Sequence, residues 1–342
     1  MKNKCQYIEV CRFIGAIIIL CHHSYTLMER TFFLGGWAFV EFYFMLTGYY
    51  TTEHFLKHSE KVGAEYRDIF YYIKNKIKKI YPYAVGGVLL DFIRVFVCTP
   101  GKDEKILSVF SLIYNLSLLK GVGIANASYV YDPPLWYVTY LLLFLPLLII
   151  LMTKVEKIYK YFLCWFVPIM FFSLDMIYMN KIAIWEGGIF QVLRGTADLI
   201  MGSALFFVIN YYKRDNNIPQ KTVRMLSTVG FLGFVWITVF FRNGGVDISA
   251  EILGYLFIVM VLILLNDRNY IDNHFVYSIC SHMGKLSLPI YCLHFPIQEW
   301  IQLLMPSESY WWKLGMSILC SILISEIMIV ICEKSRKTNE TM

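Results

Sequence analysis

Val10-Cys11-Arg12-Phe13-Ile14-Gly15-Ala16-Ile17-Ile18-Ile19-Leu20-Cys21-His22-His23-Ser24-Tyr25 is an apolar segment of bilayer length with an arginine near one end and two histidines at the other. Inserting a guanidinium at membrane depth costs about 2.5 kcal/mol or more, so such a residue faces a protein interior or a watery cavity. Eleven helical steps of about 100° bring His23 back onto the face of Arg12, roughly 16 Å further along the axis. His22 falls about 80° away from Arg12. Lys2 and Lys4 ahead of this run give it the look of a signal peptide. Arg12 interrupts the run, however, and no small-x-small cleavage site follows, so the segment reads as a retained first span.

The rest of the chain repeats the theme. Its 342 residues are 58% hydrophobic, 17% aromatic and only 16% charged, with a mean hydropathy of +0.54. Soluble domains carry about 25% charged residues. Beyond 10–25, apolar stretches run over 36–50, 81–98, 135–152, 161–179, 189–211, 225–241, 251–265, 286–305 and 311–332, with a weaker one, rich in Ser and Asn, over 106–119. This predicts an all-α polytopic membrane protein of about ten helices, as one integral membrane domain over 1–342 with no soluble C-terminal domain. The nine cysteines are scattered, with no CxxC and no metal-ligand spacing, so no metal is expected.

Basic residues set the orientation. They cluster after the second stretch (Lys57, Lys61, Arg67, Lys74, Lys76, Lys78, Lys79), after the fourth (Lys154, Lys157, Lys160), after the sixth (Lys213, Arg214, Lys221, Arg224) and in the tail (Lys334, Arg336, Lys337). All fall on the cytoplasmic side if 106–119 does not cross. Ten spans with both termini inside follow, with 106–119 re-entrant or at the outer surface. The net charge of +6 thus anchors the chain in its membrane and gives no argument for nucleic acid.

Several polar residues lie at membrane depth and need partners. Glu41 has two readings: a structural ion pair with Arg12 or another arginine, or a carboxylate that orients His23. Asp91 and Arg94 are three apart, and Arg194 and Asp198 four apart; both spacings permit pairing along one helix face. Gly195 and Gly202 thin the helix that carries Arg194 and admit a ligand or a neighbouring helix. Lys76 and Lys79 share a face and are either membrane anchors or phosphate ligands. His294 lies between Pro289 and Pro296, which are expected to break the helix and line a cavity. It reads as a satisfied structural residue or as part of that cavity with Tyr291. Trp136, after Asp132-Pro133-Pro134, is by default an interfacial anchor.

Taken in order, these residues resemble the acyltransferase-3 family of integral membrane acyltransferases. Arg12-x10-His23 is similar to the family's Arg/Lys-x10-His signature. Val40-Glu41-Phe42-Tyr43-Phe44-Met45-Leu46-Thr47-Gly48-Tyr49 resembles its second-span motif, with Thr47 where Ser is usual. Lys76-Ile77-Lys78-Lys79-Ile80-Tyr81-Pro82 resembles a basic run that carries arginines elsewhere; lysine replaces a bidentate contact with a point charge. Leu135-Trp136-Tyr137 and Ser287-Leu288-Pro289-Ile290-Tyr291-Cys292-Leu293-His294 complete the series.

The resemblance implies transfer of an acyl group, most often acetyl, from cytoplasmic acyl-CoA to a hydroxyl of an extracytoplasmic glycan or other cell-surface acceptor, in a bacterial plasma membrane. It implies His23 as general base or acyl carrier with Glu41 in support. Arg12, Lys76, Lys79 and Arg194 would then serve the acyl donor, and His22, Trp136, Tyr291 and His294 the cavity or acceptor. Two other classes stand beside it: a transporter or flippase with charges along a solute path, and a non-catalytic scaffold whose polar residues only pair with each other.

Overall fold

A bilayer offers backbone amides no water, so a chain this apolar must close its hydrogen bonds within each segment. The computed structural model does so with helices alone among the described residues, which are 5–28, 33–59, 65–118, 129–179, 189–215, 219–240, 248–263 and 273–341. Lys61, counted above with the cytoplasmic lysines, lies outside them. The long helices are α1 (Gln6–His22), α2 (Ala38–Ser59), α3 (Tyr66–Cys98), α4 (Lys102–Leu116), α5 (Trp136–Lys154), α6 (Cys164–Met179), α7 (Ile189–Asp215), α8 (Gln220–Phe240), α9 (Ile248–Leu262), α10 (His274–Leu304) and α11 (Tyr310–Thr341). The described part of each apolar stretch of the sequence lies mostly on one of them. Among the described residues, six segments are long and apolar enough to cross a membrane: Gln6–Leu27, Tyr66–Cys98, Pro133–Lys154, Glu156–Tyr178, Gln191–Tyr211 and Tyr310–Ser335.

The described part of the weak stretch over 106–119 is helical almost throughout. It lies mostly in α4, whose 15 residues rise about 22 Å, short of a hydrocarbon core of about 30 Å. Its serines and asparagine are its purpose. Ser108, Ser111 and Asn115 are buried and hold the segment that leads into Asp132. Asn115 Nδ2 donates to the Tyr129 carbonyl at 3.0 Å, and Asn115 Oδ1 accepts from the Tyr131 amide at 2.9 Å. The Ser108 and Tyr131 hydroxyls lie 2.6 Å apart.

The chain divides into two compact units. One comprises Met1–Ile8, Trp37–Ile77 and Tyr140–Tyr270. Its centre is the contact of α2 with α7, where small residues face backbone from both sides. A Cβ on Gly48 would strike the Leu199 carbonyl, and one on Gly202 the Met45 carbonyl. Thr52 Oγ1 lies 2.7 Å from Ser203 Oγ and donates to the Gly48 carbonyl at 2.8 Å, so the polar atoms at this contact bond to each other. Such close approach is how helices associate where lipid competes equally for apolar side chains. The glycines of α7 therefore admit a neighbouring helix, one of the two possibilities read from the sequence.

The other unit comprises Glu9–Gly36, Lys78–Thr139 and Ile271–Met342. Its spine is α10, which stays helical through both Pro289 and Pro296; the expected break does not occur. Each proline still withholds an N–H from the carbonyl four residues earlier. For Pro296 that carbonyl is Cys292, and α3 comes so close there that a Cβ on Gly87 would collide with the Cys292 oxygen. α1 closes on the same spine: Glu9 fills the space that Gly284 leaves open.

Candidate active site

The end of α1 is fastened to α10. The Leu20 carbonyl, among the last of α1, accepts from Gln298 Nε2 at 2.8 Å, and Gln298 Oε1 accepts from Thr26 Oγ1 at 3.3 Å. Helix C-termini leave carbonyls without intrahelical donors, and a buried end needs such a partner. Ser24 meets Tyr310 of α11, hydroxyl to hydroxyl, at 2.6 Å. These bonds fix the backbone at 20–26 and with it the histidine between them.

His23 follows α1 directly, and its amide still bonds to the Ile19 carbonyl at 3.0 Å, so helical phase holds up to it. Its Nδ1 lies 3.0 Å from Nε2 of His294. The rings of Tyr25 and Phe295 stand edge-on to it at 6.1 and 6.2 Å. His294 is fully buried, and its Nδ1 lies 2.8 Å from the Tyr291 carbonyl and 3.3 Å from that of Ile290. His22 turns elsewhere. It is buried, with Nδ1 2.7 Å from the Phe33 carbonyl, and its ring occupies the space that a side chain at Gly36 would need. The separation of the two histidines read from helical phase is thus visible in their partners.

Tyr291, His294 and Gln298 recur at three and four residues along α10, so they share one face. The Tyr291 hydroxyl donates to the Pro134 carbonyl, and the Tyr137 ring packs edge-on to Tyr291 at 5.6 Å. This ties the Asp132–Tyr137 segment to the histidine face, with Trp136 half-buried at the start of α5. Asp132 is buried with φ 48° and ψ 66°, a left-handed conformation that costs about 1–3 kcal/mol outside glycine. Asp91 Oδ2 holds it there, accepting the Asp132 amide at 2.8 Å. Asp91 Oδ1 accepts from Arg94 Nε at 3.0 Å and Nη2 at 2.8 Å, and Arg94 reaches on to Glu299 at 3.2 Å. The Asp91–Arg94 pairing read from the spacing is therefore present, and it has a further role as a clamp.

The other sequence-derived candidates have these positions. Arg12 Nη1 meets Glu9 one turn earlier, 3.2 and 3.0 Å from its two oxygens. Its side chain remains 26% exposed. Lys79 is exposed on α3; Lys76, half-buried on the same helix, lies over the Tyr72 ring at 5.7 Å. Glu41 and Arg194 form a buried ion pair within the first unit. The reading of Glu41 as the partner of another arginine is the one that this geometry matches. Sequence reasoning passed over Gln298, Ser24 and Tyr310. The signal for Gln298 was its spacing, four residues after His294 in an apolar helix. Among the described residues no group of His, Cys, Asp and Glu is arranged to hold a metal.

The arrangement presents one imidazole on a fixed backbone, in contact with a second, buried imidazole. An acyltransferase-domain family model matches residues 6–331. A Staphylococcus aureus (strain COL) protein named "Putative O-acetyltransferase SACOL0978" is 22% identical over 329 residues, covering 87% of this chain and 52% of its own length. The chain thus spans about half the length of that relative. No solved structure matches. The family match takes in Arg12, His23, Glu41 and His294 alike, and with six apolar helical segments of membrane-crossing length among the described residues the chain is a multi-pass membrane protein that belongs to the acyltransferase-3 family.

Proposed function

We propose that this protein is an O-acyltransferase of a bacterial plasma membrane, one domain over 1–342 crossing the bilayer ten times with both termini in the cytoplasm. It moves an acyl group, acetyl first among them, from cytoplasmic acyl-CoA to a hydroxyl of an extracytoplasmic glycan or other surface acceptor. The observation that carries the reading is His23, held at the end of α1 against His294. As general base, His23 takes the hydroxyl proton while the acceptor oxygen attacks the thioester carbon. The C–S bond breaks and the CoA sulfur leaves with the proton returned from His23, giving ester and free CoA thiol. As acyl carrier, the same ring would take the acyl group first and pass it on. Arg12, Lys76 and Lys79 would attract donor phosphates as point charges near the cytoplasmic face. Arg194, already engaged with Glu41, holds its own helix pair together instead.

His23→Ala should abolish release of CoA thiol from acetyl-CoA plus acceptor while the protein still purifies folded in detergent. Undiminished thiol release by that variant would sink the assignment. Movement of a glycan across proteoliposomes with no CoA consumed would show a transporter.

A further inference from the structure

We propose that the carboxyls gathered around Arg194 form a proton-binding site in the core of the first unit, with Asp198 holding a proton that it shares with Glu41. This cluster takes no part in the proposed acyl transfer. Four helices of one unit bring it together. Glu41 comes from α2, Asp175 from α6, Arg194 and Asp198 from α7, and Glu251 with Tyr255 from α9. The four carboxyl side chains are fully buried, and Arg194 is 3% exposed. From α5, the Tyr140 hydroxyl donates to Gln191, one turn before Arg194, at 3.4 Å. α8 packs on α9 and has no titratable residue between 225 and 240.

Charge balance points to the proton. Glu41 is the ion-pair partner of Arg194. Asp175 and Asp198 lie within reach of the same guanidinium, so three buried carboxyls face one cation even before Glu251 is counted. A buried carboxylate without a countercharge of its own is far costlier than the neutral acid, and it takes up a proton instead. The Asp198 carboxyl lies against that of Glu41 and the Tyr255 hydroxyl. Among the described residues no N–H donates to Glu41 Oε2 or to either oxygen of Asp198. Two ionised carboxylates only accept, and they repel; one proton between them turns the contact into a hydrogen bond. Glu41 supplies the negative charge of the Arg194 pair, so the proton resides on Asp198. Asp175 points the same way from a different helix. Its side chain is fully buried, and neither of its oxygens has a hydrogen-bond partner. The Glu41–Asp198 pair stands in the contact of α2 with α7, where Gly48 and Gly202 let backbone meet backbone. Loss of the proton sets like charges against each other there, so rising pH loosens that contact.

Infrared spectroscopy of the full chain in lipid bilayers at about pH 7, where an ordinary carboxyl is ionised, reads the C=O stretch of protonated carboxyls. Wild type should show this band, and Asp198→Asn should lose one carboxyl's share of it. Thermal unfolding in detergent gives a second reading. An unfolded aspartate gives up its proton above about pH 4, and stability falls with rising pH wherever the native state binds more protons than the unfolded one. Between about pH 6 and pH 9 the wild-type midpoint should therefore fall more steeply than that of Asp198→Asn. At the acid end the two should lie close together, because asparagine resembles the neutral acid. Absence of the infrared band in wild type overturns the proposal even if the variant fails to fold. A band of full size in Asp198→Asn, or equal pH slopes in the two proteins, overturns it as well. So does a wild-type midpoint that rises with sodium or potassium at fixed ionic strength, which would identify a bound metal cation in place of the proton.

Discussion

Arg194 is 3% exposed and Glu41 is fully buried, so neither charge has water to fall back on. Asp175 and Asp198, also buried, lie within the electrostatic reach of the same guanidinium. Removing one partner of a buried pair leaves the other uncompensated, which costs about 3–5 kcal/mol. Arg194→Ala should therefore lower the thermal unfolding midpoint sharply in detergent, and the double variant Glu41→Gln, Arg194→Gln should recover part of the loss. A single variant as stable as the parent would mean that the pair contributes nothing. Both charges were legible in the sequence as residues in need of partners. Their pairing was not, because 153 positions separate them and local spacing offered Asp198 first. Arg12 shows the same limit at short range: its partner Glu9 stands just ahead of the apolar run, where a hydropathy reading stops looking.

At the scale of elements, α4 shows how a weak hydropathy signal can hide a structural task. Its apolar residues Leu107, Phe110 and Ile113 are exposed, while Ser108, Ser111 and Asn115 are buried. The polar stripe exists to hold the Tyr129–Tyr131 backbone, and through it the Asp132-Pro133-Pro134 turn. Asn115→Ala removes the bonds to Tyr129 and Tyr131 together. It should raise hydrogen exchange at the Tyr131 amide and reduce CoA-thiol release several-fold, with α10 unaffected. Unchanged exchange at Tyr131 would show that the turn holds itself. The helices themselves were legible from apolar length and charge spacing. The unbroken course of α10 through two prolines was not, because tertiary packing decides whether a proline breaks a helix or merely costs it a bond.

For the whole molecule, charge asymmetry is the argument for orientation. The basic loops and tail lie on one side only if ten segments cross. A green fluorescent protein fused after residue 342 should fluoresce, and an alkaline phosphatase fused there should stay inactive. The same pair of reporters placed after Leu116 should give the reverse. An active phosphatase at the C-terminus would reverse the orientation and, with it, the assignment of Arg12 to the donor side and His23 to the acceptor side. Family membership was legible as an ordered series of short motifs; the partners that make those motifs work lie far apart in the chain and appear only once it is folded.

Gly87 and Pro296 illustrate what such long-range partnership means for inheritance. One position lacks a side chain and the other lacks an amide hydrogen, and both absences meet at the Cys292 carbonyl. A side chain at 87 pushes α3 off that oxygen, while a residue with an N–H at 296 draws the oxygen back into its own helix and away from α3. Mutational paths through either position alone are therefore narrow. Across descendants of this gene the two positions should be kept or lost together.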